Sequence, residues 1–121
     1  MDTVVKNSPV DNLEVTGVNP IKDGATIAQA GVIPAGAVLG KVTASGKLVI
    51  CDTTATDGSE VPFAVNYQEV DTTDGDEEAV IYLQGSFNED ALTFGGATVL
   101  ADVYTEMRKL NLMAFAVTVI A

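Results

Sequence analysis

One stretch, residues 33–58, constrains the fold of this chain more than any other. Two short runs rich in β-forming residues, 38–43 and 47–51, flank the three small residues Ala44-Ser45-Gly46. Such a tight link folds the second run back on the first, and Gly46 can take the positive φ that the turn requires. Pro34 and Gly36 set an abrupt approach to this hairpin, because proline fixes φ and glycine permits backbone angles closed to other residues. Asp52, Thr53, Thr54, Thr56, Asp57 and Gly58 then form a polar loop whose side chains can bond their own backbone. No residue of the stretch is an obvious catalyst. It reads as scaffold.

The flanking chain is also made of short pieces. Residues 1–20 scatter Val4, Val5, Val10, Leu13, Val15 and Val18 among asparagines, and Pro9 and Pro20 interrupt any helix. This reads as an extended arm, with Leu13-Glu14-Val15 alternating as a half-buried strand does. A solvated tail is normally polar, so these valines pack either on their own domain or on another protein. Lys22-Asp23-Gly24 reads as a turn, residues 25–29 and 61–67 as strands, 69–78 as an acidic loop and 79–84 as the strongest strand. Residues 85–90 read as polar and turn-like, with Phe87 buried, and 91–94 as a short apolar piece ended by Gly95-Gly96.

From Thr98 the period changes. Val99, Val103, Met107 and Leu110 recur at spacings of three and four, which predicts one helix over 98–110. Thr98 is its expected N-cap and Asn111 its left-handed C-terminal residue; Asp102 and the Arg108-Lys109 pair suit the helix dipole. Residues 112–121 form a last apolar strand. The fold class is therefore mainly β with one C-terminal helix, an α+β domain of 121 residues with a single core.

The net charge of −11, from 6 Lys+Arg against 17 Asp+Glu, repels phosphate, so nucleic acid and anionic membranes are poor partners. Six of the acids crowd into 69–78. The first residues lack the basic start and apolar middle of a signal peptide, and the single Cys51 excludes an internal disulfide; both suggest an intracellular product. Without histidine there is no Ser-His-Asp or Cys-His arrangement, and no glycine loop of a phosphate-binding type is present. Cys51 lies in an apolar run with no adjacent base and reads as a buried, inert thiol. Asp52 and Asp57 read as turn formers. Asp71, Asp74, Asp76, Glu77 and Glu78 read as a solvated loop whose spacing departs from a calcium-binding loop. No catalytic, cofactor-binding or metal-ligating residue, and no small-molecule substrate, is expected.

The order of four segments carries a resemblance. They are residues 33–43, Gly46-Lys47-Leu48-Val49, Asp57-Gly58-Ser59-Glu60, and 85–94 with its Gly85-Ser86-Phe87-Asn88 start. Together with the C-terminal helix and strand, they resemble the head decoration protein family of lambda-like tailed phages over residues 25–121. The resemblance implies a β-tulip domain and a homotrimer on the outside of the phage head at three-fold and quasi-three-fold positions. It also implies an N-terminal arm that pairs with the major capsid protein. On this reading residues 1–24 are the capsid-binding arm, using Val4, Val5, Val10, Leu13, Val15 and Val18, and 25–121 the decoration domain. The trimer contact falls either on the apolar strand 115–120, with Phe115, Val117 and Val119 the candidates, or on the strand 79–83; the C-terminal strand can face its own core or the trimer axis. The implied product is a structural cement, made in the host cytoplasm and located on the virion. Two rivals stand beside it: another acidic virion module, of a tail or fibre, and an enzyme using carboxylates with or without a metal.

Overall fold

The computed structural model describes residues 3–6, 13 and 19–119. Its strands are β1 (Thr3–Lys6), β2 (Ile21–Ile27), β3 (Gly31–Ile33), β4 (Val38–Lys41), β5 (Leu48–Ile50), β6 (Pro62–Asn66), β7 (Val70–Thr72), β8 (Glu77–Asn88) and β9 (Leu112–Val119). Among the described residues one helix, α1 (Leu100–Lys109), precedes β9, and a single 3-10 turn, Glu89–Ala91, follows β8.

The expected hairpin is present. β4 and β5 run antiparallel, Lys41 opposite Leu48, and the Gly46 N–H donates to the Val42 carbonyl at 2.8 Å with φ at 73°. The hairpin is then built into a ring. Strands follow one another in the order β8-β2-β5-β4-β6, and β6 returns to β8 through Val65 opposite Tyr82 and Asn66 opposite Ile81. The closed ring is a small barrel. β9 extends the sheet from β8 in parallel, and β1 lies parallel on β9 at the far edge. β3 and β7 form a separate antiparallel pair.

Neighbouring residues of a strand point to opposite faces, and here both faces are buried. Ile27, Leu39, Leu48, Ala64 and Ile81, one from each ring strand, cluster together with Ile33 and Ala37. Val38, Val65 and Tyr82, each next in sequence to one of these, pack instead with Phe87, Val103, Met107 and Leu112. This explains why β4, β6 and β8 read as unbroken apolar runs rather than as alternating ones. Tyr82 forms edge-on ring contacts with Tyr67 and Phe87, centroids 5.4 and 5.0 Å apart.

Several expectations are corrected. Lys22-Asp23-Gly24 is not a turn but the interior of β2, paired with β8 along Tyr82-Ile81-Val80. Long-range pairing outweighs a local turn signal in a strand that has a partner along its length. Residues 85–88 are not a turn either; β8 continues through Asn88 because β9 pairs with it there. The acidic segment 69–78 contains β7 and the start of β8. In α1 the N-cap is Val99, not Thr98: Asp102 Oδ2 accepts from the Val99 N–H at 3.0 Å. Thr98 Oγ1 accepts from the Thr53 N–H at 2.9 Å and ties the helix start to the 52–58 loop. Val103 and Met107 are buried, whereas Val99 and Leu110 are 56% and 40% exposed. Both are cap residues outside the helix, so its period does not govern them. Asn111 has φ at 60°, as expected, and its carbonyl accepts from Gly85.

Gly36 combines two constraints. Its φ is 87°, and a Cβ there would lie 2.1 Å from the Ala91 carbonyl oxygen. Gly36→Ala therefore adds backbone strain to a collision with main chain, and should destabilise the domain by about 3 kcal/mol or more. Urea unfolding monitored by tyrosine fluorescence measures this; a small loss would mean that residues 91–93 yield freely.

Candidate functional site

The acidic side chains do local structural work. Asp52 Oδ1 accepts from the Thr54 N–H and hydroxyl at 2.9 and 2.7 Å, and Asp57 Oδ1 accepts from the Ser59 N–H and hydroxyl at 3.1 and 2.5 Å. These bonds favour the charged form, so both carboxyls titrate below the usual carboxylate range, the side-chain hydroxyl being the larger cause. Asp71 is lowered in the same way by Thr73, and Asp76 by its bonds to Lys47 and the Gln29 N–H. Asp52 and Asp57 are thus turn formers, as their setting in sequence suggests. Among the described residues no three side chains of the metal-ligating types gather in one place.

Cys51 ends the hairpin with its side chain fully buried, and its Sγ–H donates weakly to the Glu60 carbonyl at 3.6 Å. Burial pushes the thiol up to about 11, with the Asp52 and Glu60 charges adding to the shift. At neutral pH it stays a protonated, inert thiol, in keeping with the sequence.

β1 places Val4 opposite Val117 and Val5 opposite Thr118, in register on β9. The backbone of residues 3–6 therefore lies on its own domain and forms the last strand of the seven-stranded sheet. Leu13 packs half-buried against the cluster of Val38 and Phe87, and its carbonyl accepts from the Asn88 N–H at 2.8 Å. Val10, Val15 and Val18 lie outside the described residues. Phe115 is 9% exposed and sits opposite Asn88. Val117 and Val119 lie in the part of β9 that pairs with β1, opposite Val4 and Lys6.

Two features escape the sequence reading. Phe94, Val99, Leu100, Ala101 and Tyr104 line adjoining shallow hollows at the start of α1. Leu100 belongs to the helical stripe, but the contribution of Phe94 arises only from tertiary packing. The second is a cleft of about 410 Å³ between β2 and the tip of the β4–β5 hairpin. It was hidden because Lys22-Asp23-Gly24 reads locally as a turn and not as a strand with an edge.

The unfolded chain ionises its thiol near pH 9 while the folded chain holds its proton to about 11. Protonated Cys51 thus supports the fold fully below pH 9, and that support is lost as pH rises towards 11. Cys51→Ala should flatten the decline of stability across this window, read from urea midpoints at pH 8 and 10.5. At pH 8 a thiol reagent should label the native protein at least about 100-fold more slowly than the unfolded one. Equal rates would show an accessible thiol.

With this geometry in hand, the chain can be compared with known proteins. The family model of the bacteriophage lambda head decoration protein D matches residues 6–107. No curated protein sequence matches the chain.

Proposed function

This chain belongs to the bacteriophage lambda head decoration protein D family, and from that premise we propose how it works: it binds the outer surface of a phage head as a homotrimer, at three-fold and quasi-three-fold positions, and stabilises the shell against the pressure of packaged DNA. The family is one of structural proteins of the phage capsid, and the match over residues 6–107 carries the reading. The physical chemistry agrees with it. A cement protein works through surfaces, and here Asp52, Asp57, Asp71 and Asp76 hold turns and loops in place. A net charge of −11 keeps the free protein soluble and off the packaged genome.

In this reading the major capsid protein is the partner, the arm expected over residues 1–24 ends before β2, whose residues 21–24 belong to the barrel, and the chain from there to 121 forms a decoration domain of the β-tulip kind. The arm's apolar contacts come from Val4, Val5, Val10, Leu13, Val15 and Val18. β1 is an edge strand, so a strand of the shell can add to its free side or replace β9 as its partner without loss of main-chain hydrogen bonds. Leu13, held by Asn88, is the point where the arm is tethered to the body. Trimer contact is assigned to Phe115, Val117 and Val119 on β9. Three arms on one trimer act together through high effective concentration, so each contact can be weak. The protein is made in the host cytoplasm and ends on the outside of the virion.

Deletion of residues 1–6 tests the arm while leaving Leu13 in place. Attachment to empty phage heads should weaken at least about tenfold, with the melting temperature falling by no more than about 5 °C. Attachment at full affinity would assign binding to the folded body alone; ready unfolding would make β1 part of the core. Sedimentation tests the oligomer: a monomer both free and on the head would end the trimer assignment.

A further inference from the structure

The barrel wall has a gap. β2 pairs with β8 along its whole length, from Ile21 to Ile27, but its other neighbour, β5, meets it at a single position, Ile27 opposite Leu48. Beyond that point the Ala28 N–H donates to the Leu48 carbonyl, so residue 28 turns its backbone groups towards β5. By the alternation of a strand, Thr26, Gly24 and Lys22 turn theirs the same way. Thr26 is joined to β5 by the bridge between Ile27 and Leu48, but Gly24 and Lys22 meet no strand there among the described residues. Residues 23–26 line the cleft of about 410 Å³, whose other walls include Lys41, Lys47, Phe63, Ile81 and Leu83.

Two details show how this edge is kept in the free chain. Asp23 Oδ1 accepts from the Gly24 N–H at 2.8 Å, so a carboxylate occupies one open donor. Exposed edges are commonly guarded by a charge in this way. Across the cleft, Lys47 is paired with Asp76, whereas Lys41 makes no ion pair among the described residues and rests over the Phe63 ring at 5.2 Å. In a chain with only 6 basic residues against 17 acidic ones, two of the six line this one cleft.

We propose that the open edge of β2 is a docking slot for an extended segment of the shell protein, which adds as a strand along residues 22–25 and sets a carboxylate against Lys41. The inference rests on the reading that the chain decorates a phage head. Residues 22–25 span about 13 Å, enough for four strand residues. Alternate apolar side chains of the incoming segment cover Phe63 and Leu83, which the free chain leaves partly buried. Charge decides the source. A second copy adding edge to edge sets its own Asp23 near this one and is opposed; an acidic residue carried by an otherwise uncharged segment meets Lys41.

Amide hydrogen exchange on the full-length protein, free and bound to empty heads of its phage, reads the slot directly. The 21–27 peptide should exchange at least about tenfold more slowly when bound. A charge-reversing pair of variants supplies the second readout. Lys41→Glu should weaken binding to the heads at least about tenfold with an unchanged melting temperature, and Lys109→Glu, the same change of charge on exposed α1, should not. Binding without new protection of 21–27, or equal weakening by both variants, overturns the slot and leaves the decoration reading standing. Protection of 21–27 that grows with concentration before heads are added would make a second copy the occupant and also overturn it. Failure of the wild-type protein to bind heads at all removes the decoration reading and this inference together.

Discussion

One strand holds the molecule together. β8 pairs with β2 and β6 to close the barrel, and its last four residues, Gly85 to Asn88, pair with β9 to extend the sheet. A buried backbone must bond all of its polar groups, and a twelve-residue strand can do so only by recruiting several partners. The two hydrophobic clusters follow from this. Ile81 points into the ring, and the adjacent Tyr82 points to the helix side, so a single strand fixes both cores at once. Gly85 lies where β9 first joins, and its N–H donates to the carbonyl of Asn111, the left-handed residue between α1 and β9.

The rest of the chain is fastened to that frame by buried polar groups. The Asn66 side-chain amide donates to the Ile33, Pro34 and Gln68 carbonyls, at 3.3, 3.0 and 2.8 Å, and so binds two loops to the end of β6. Thr72 does the same for the β3–β7 pair, donating to the Gly31 carbonyl and accepting from the Ala30 N–H. Each bond is worth about 1 kcal/mol net, but losing one inside the protein strands a desolvated partner and costs more. Short strands with little apolar area of their own thereby gain definite positions. In the proposed role such a rigid body matters, because a binding arm and a docking edge would need a fixed spacing.

Much of this was legible in the sequence, for local reasons. The 44–46 turn, the β4–β5 hairpin, the inert Cys51, the turn-forming Asp52 and Asp57, and the left-handed Asn111 each depend on neighbours within a few residues. The helix was legible too, since Val103 and Met107 mark its buried face; its cap was not, because Thr98 is drawn away by Thr53, 45 residues distant. The order of the segments 33–43, 46–49, 57–60 and 85–94 was enough to resemble the decoration family that the match over 6–107 then gave.

The sequence alone thus determined the fold class, the hairpin at its centre and the family. Tertiary structure decided which strands have partners and where an edge stays open. Lys22-Asp23-Gly24 has the composition of a turn and becomes strand because β8 lies beside it; 85–88 become strand because β9 does. The same holds for Leu13, a residue of the arm that turns out to rest on its own core. Turn propensity is a property of a few adjacent residues, worth about 1 kcal/mol, whereas strand pairing draws its free energy from residues far apart in the chain, and no local reading contains that sum.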